Sequence, residues 1–176
     1  MSSAESLPAV DVGESSAPRH ERMERRQVDQ DRTLFAMHQL EATLGTAAPG
    51  RERPWREEVC GALAVLAEAT TQEAENAAAA DSLLSDVART QPWLRNRVRG
   101  LRIQYRQLQE GIASLHSELG EADGAMDFAD IRQRLAWVLT GLRHQRARES
   151  DLIHEAYYDA FRTDLPLEAD RDLRGE

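Results

Sequence analysis

The sequence predicts an all-α protein, an up-down-up-down antiparallel four-helix bundle, and three observations carry that prediction. Leu94, Val98, Leu101, Tyr105, Leu108, Ile112, Leu115 and Leu119 follow one another in unbroken steps of four and three, the spacing of one face buried along a single long helix. Three further segments carry amphipathic helical spacing and are joined by short connections. No run alternates with period two, so no strand is needed to bury the apolar residues.

The elements follow in chain order. Residues 1–19 are rich in Ser, Ala, Glu and Pro without periodicity and are expected to form a disordered tail. The spacing of Leu34, Met37, Leu40 and Leu44 predicts a first helix over 21–44, ended by Gly45 and the Pro49-Gly50 pair. Pro54 suits the first turn of a second helix, where it gives up no intrahelical bond. The inner face of that helix carries Trp55, Val59, Leu63 and Leu66, then only small residues: Ala67, Thr70, Thr71, Ala74 and Ala78. A short helical stretch near 81–88 precedes the Thr90-Gln91-Pro92 break, and the long stripe runs from there to about Leu119. Gly120 to Gly124 reads as the next turn. Asp127, with Asp130 in the first turn, reads as the N-cap of a last helix through Ile131, Leu135, Val138, Leu142, Leu152 and Ala156. The folded part is thus expected over 20–165, with 166–176 a second tail beginning at Pro166.

Composition excludes several classes of function. The chain has 176 residues, 41% hydrophobic and 30% charged, the size of one domain with a real core. All 22 basic residues are arginine; 31 acidic residues bring the net charge to -9, which argues against general nucleic-acid binding. The single cysteine, Cys60, excludes an internal disulfide and reads as a buried, inert thiol. The first residues lack a basic start followed by an apolar run, and Ala62 to Ala67, the longest apolar run, is too short to cross a bilayer. A cytoplasmic location follows as an expectation, with a protein partner or self-association open. Nothing resembles a nucleophilic triad, a phosphate loop or a zinc ribbon, so no enzyme activity is expected.

The stretch from Glu149 through Leu152-Ile153 to Glu155-Ala156-Tyr157, followed by Asp164-Leu165, resembles the end of the last helix in bacterial hemerythrin-like proteins of the HHE cation-binding type. Pro166 stands where those proteins carry glycine. The Pro92-Trp93 start of the long stripe and the helix lengths fit the same resemblance, which covers 21–165. It implies a di-iron centre at mid-bundle. The ligands would be a histidine on the first helix, His-x3-Glu on the second, a histidine on the next long helix, and a histidine with a carboxylate on the last. Two adjacent cations in a dry interior need such neutral imidazoles and bridging carboxylates.

On this chain the resemblance places His38 at the first position, Thr71 and Glu75 at the second, and Tyr105 at the third. On the last helix Glu149 matches the carboxylate. At about 100° per residue, with Leu142 inward, Gln145 falls in the ligand slot while His144 points outward by roughly 160°, unless a bulge re-aims the turn. The expectation is therefore a bundle whose metal site has been refilled, with no cofactor. Tyr105 would close the space opposite the small residues of the second helix, and Tyr105 with Arg146, on the inner side, would partner Glu75 and Glu149. The alternative is a non-heme di-iron protein handling oxygen, peroxide or nitric oxide, with His38, Glu75, Tyr105, His144 and Glu149 as ligands. His20, His116 and His154 have no partner at ligand spacing.

Two surface features complete the reading. Arg95, Arg99, Arg102 and Arg106 share helical spacing and form a basic edge that is either a solvated face or a site for an anionic partner. Trp137 shares the outward side of the last helix with His144, and Gly141 between them allows close approach, the pattern of a contact surface.

Overall fold

The computed structural model describes residues 16–46, 50–121 and 127–163. They form an all-α four-helix bundle: α1 (Ser16–Gly45), α2 (Glu52–Ala78), the short α3 (Leu83–Thr90), a 3-10 turn (Pro92–Leu94), α4 (Arg95–Glu121) and α5 (Phe128–Thr163). Cross-helix hydrogen bonds fix the directions. Asp29–Asn76, Thr33–Glu73 and Thr43–Trp55 run α1 against α2. Arg97–Glu155, Gln104–Arg148 and Glu118–Arg134 run α4 against α5. Arg26–Glu149, Gln30–Arg146 and Glu41–Arg143 run α1 against α5.

Helix ends follow their local chemistry. Asp127 Oδ1 accepts from the amides of Ala129 and Asp130 at 2.9 and 3.2 Å, capping α5. Ser82 caps α3 by accepting from Ser85 N. Gly50, at φ 81°, turns the chain into α2 with a conformation other residues resist. Three boundaries differ from expectation. Helix α1 begins at Ser16, taking in residues assigned to the tail, because Pro18 falls in the first turn where its missing N–H costs nothing. α4 continues through Gly120 to Glu121. α3 lies two residues further along, at Leu83–Thr90, because Ser82 caps it. Residues 1–15 of the expected first tail and the whole of the second, 166–176, lie outside the described residues.

The core has two apolar parts. One joins Met37 and Leu40 of α1 to Leu63 and Leu66 of α2, Ile112 and Leu119 of α4, and Leu135 and Leu142 of α5. Its outer end is closed by Trp55, whose indole N–H donates to Thr43 O at 3.2 Å and whose ring meets Phe128 edge-on at 5.3 Å. The second part packs α3 onto α4 and α5 through Leu84, Val87, Leu94, Val98, Leu152 and Ile153. The α4 stripe is buried as spaced, with Leu108 only partly covered. On α1 the phase is shifted: Leu34 is exposed, and Thr33 and Ala36 face inward. Polar residues occupy the middle of the bundle between the two apolar parts.

Candidate functional site

Four helices contribute to that polar middle. α1 supplies Arg26 and Thr33, α2 supplies Glu73, α4 supplies Tyr105 and α5 supplies Glu149. The Tyr105 hydroxyl donates to Glu149 Oε2 at 2.8 Å and lies 3.3 Å from Glu73 Oε1. Arg26 Nε donates to Glu149 Oε1 at 2.9 Å, and its terminal nitrogen reaches Ser150 Oγ at 3.2 Å. Thr33 Oγ1 donates to Glu73 Oε2 at 2.5 Å. Both carboxylates are buried, Glu73 at 6% and Glu149 at 2% exposure.

The two carboxylates differ in what neutralises them. Glu149 has a guanidinium on one oxygen and a phenol on the other, so both acceptors are filled and its charge is matched. Glu73 has only hydroxyl donors in direct contact. Burial pushes its carboxyl above the ordinary glutamate value of 4.5, and neighbouring Glu149 pushes the same way; Thr33, Arg146 and Tyr105 oppose the rise without cancelling it. Burial, reinforced by both carboxylates, drives the Tyr105 hydroxyl upward too, so it remains a donor. With one proton on Tyr105 aimed at Glu149, a proton on Glu73 completes the chain from Glu73 through Tyr105 to Glu149 and Arg26. The arrangement can hold one proton between two buried acids. A cavity of about 30 Å³, on the scale of one water molecule, reaches this layer from the side of Arg22, Asp29 and Asn76.

The residues singled out from the sequence are distributed as follows. Tyr105 and Glu149 meet, and Gln145 is buried on the inner side of α5 with its side-chain oxygen unpartnered among the described residues. Thr71 and Glu75 are exposed, and Thr70 and Glu73 take the inward positions instead. The signal for this was present: Trp55, Val59, Leu63 and Leu66 continue at helical spacing to Thr70 and Glu73, whereas matching His-x3-Glu by resemblance picks the wrong face. Arg146 is half-buried and donates to the backbone carbonyl of Gln30, so Arg26 rather than Arg146 is the cation on Glu149. His38 and His144 are both exposed and outside the layer. Thr33 and Arg26 were not visible as site residues, because only the assembled bundle sets them against Glu73 and Glu149.

Among the described residues no three His, Cys, Asp or Glu side chains group closely enough to hold a metal ion. Cys60 is half-buried, and burial pushes its thiol up, away from the thiolate. Trp137 is 72% exposed. Gly141 does not face outward with it: a Cβ there would lie 2.8 Å from Leu108 Cδ2, so this glycine is the point where α5 approaches α4. Among the described residues no helix is long and apolar enough to cross a membrane. Comparison with protein-family models, with curated proteins and with solved structures finds no match to this chain.

Proposed function

We propose that this chain is a hemerythrin-like bundle that has exchanged a di-iron centre for a hydrogen-bonded polar layer and serves a structural or partner-binding role. The observation that carries this reading is the donor set at mid-bundle. A di-iron centre needs imidazoles and carboxylates free to bridge two cations. Here the oxygens of Glu149 are engaged by Arg26 and Tyr105, and those of Glu73 by Thr33 and Tyr105. No imidazole of the described residues joins them, since His38 and His144 point to solvent. A guanidinium that supplies the positive charge and a phenol that fills the space do the work asked of metal in the implied family, so the residues do not fit the implied group.

Metal analysis of protein purified from iron-supplemented cells tests the proposal. The expected result is well under one iron per chain and no visible phenolate-to-iron absorption. Near-stoichiometric iron, with an absorption band lost in Tyr105→Phe, would instead establish the reading with Tyr105 as a ligand.

A further inference from the structure

α4 opens with a charge pattern that its own stability does not explain. From Arg95 to Gln109 it carries Arg95, Arg97, Arg99, Arg102 and Arg106 and no acidic residue, in a chain whose net charge is -9. No acidic side chain lies in its first turn. The positive end of the helix dipole disfavours cations in the first turn, at Arg95 and Arg97, and Arg99, Arg102 and Arg106 continue the same charge beyond its reach, so the clustering gains nothing from the helix itself. Neighbouring elements relieve little of this. Arg97 pairs with Glu155 and Arg95 donates to Ala88 O, but Arg99 and Arg106 have no acidic partner among the described residues. Arg102 reaches Ser85 Oγ at 2.7 Å while its buried Nε is left without an acceptor.

These unpaired groups stand along one wall of a groove between α2 and α4 of about 530 Å³, open to solvent. The small side chains of Ala74 and Ala78 keep the α2 wall low, and Ile103, 39% exposed, adds apolar surface from α4. Arg99, Arg102 and Arg106 follow one another at three and four residues, spanning about 10 Å along the axis. A second helix laid alongside would present acidic residues with the same period, and its apolar stripe would fall on Ala74, Ala78 and Ile103.

We propose that this groove docks an acidic amphipathic helix of a partner protein. The inference deepens the partner-binding reading above and rests on it. An acidic amphipathic helix suits the groove better than a nucleic acid: its apolar stripe can cover Ala74, Ala78 and Ile103 and it needs only a few carboxylates opposite the arginines, whereas the net charge of -9 repels a long polyanion.

Selection of displayed 15-residue helical peptides on the full-length chain tests this. Enrichment of Asp or Glu at three positions spaced three and four apart is expected. Selected peptides should bind the R99E/R106E double variant and the Ala78→Trp variant at least tenfold more weakly, the first by charge and the second by blocking the groove. All three altered side chains are exposed, so circular dichroism and the melting temperature should stay near wild type. Selection without acidic enrichment, binding unchanged in both variants, or tighter binding of a 15-nucleotide oligothymidine at the same ionic strength would overturn the proposal. Iron in the purified protein would overturn the reading of the centre and leave this result standing, so the two failures are distinguishable.

Discussion

α5 is fastened to α4 and to α1 by seams of opposite chemistry. Against α4 the approach is close: Gly141 sits on Leu108, and the ion pairs Arg134–Glu118 and Arg97–Glu155 lie outside on the surface. Against α1 the backbones stand further apart, and Arg26, Arg143 and Arg146 span the gap to reach Glu149, Glu41 and the Gln30 carbonyl. A seam set by a missing side chain is held by shape and dispersion. One set by long guanidinium groups depends on charge, on hydrogen bonds and on the protonation of what it touches. The difference teaches where this bundle is sensitive to solution conditions: the α1 side, with the carboxylate layer directly behind it.

The largest expected break of that contrast is Arg26→Met. It leaves Glu149 buried without its cation and should cost about 3 kcal/mol in urea unfolding, the range for one-sided loss of a buried ion pair. The double variant Arg26→Met with Glu149→Leu should recover most of that loss, because no charge is then stranded. A loss no larger than a surface pair gives, about 0.5 kcal/mol, would show the α1 seam to be superficial. On the other side, Gly141→Leu forces a side chain into Leu108 and should cost about 2 kcal/mol, with little dependence on salt or pH.

Titration sharpens the contrast further. Glu73 is raised in the folded state, so as pH climbs above 4.5 the unfolded chain loses that proton first and the folded chain keeps it. Stability contributed by Glu73 is therefore full below the unfolded value and declines as pH rises through the folded value, by up to about 1.4 kcal/mol per pH unit for one proton. Glu73→Gln should remove that decline and be the more stable protein above this window, as read by denaturant midpoints across pH. Identical pH profiles for the two would remove the protonated-acid reading. The smallest effect belongs to Trp137→Ala, which should change stability by less than about 0.5 kcal/mol because the ring is mostly in solvent.

Much of the fold was legible because burial imposes a period. The α4 stripe gave its helix nearly end to end, and the Asp127 cap gave the start of α5. α1 was harder. Its inward face carries Gln30 and Thr33 among apolar residues, so Leu34 looked like core and was not. The same polar face is why part of the site was missed: Thr33 faces inward to donate to Glu73, a pairing between residues forty positions apart that periodicity cannot show. Tyr105 is legible because it interrupts an otherwise apolar stripe, and Glu149 because the end of its helix resembles that of hemerythrin-like proteins. Glu73 is in phase with the apolar face of its own helix, whereas the His-x3-Glu spacing implied by the resemblance selects the exposed Glu75.

The spaced backbones of the α1 seam have a kinetic consequence. α1 and α2 are tightly apposed along their length, whereas among the described residues α5 comes close to α4 and, over a short stretch, to α3. Partial opening should therefore detach α5 ahead of the α1–α2 pair, and its amide hydrogens around Glu149 should exchange with deuterium as a group, sooner than those of α2 around Glu73. In such an opened form the buried acids would meet solvent while most of the helices stay intact.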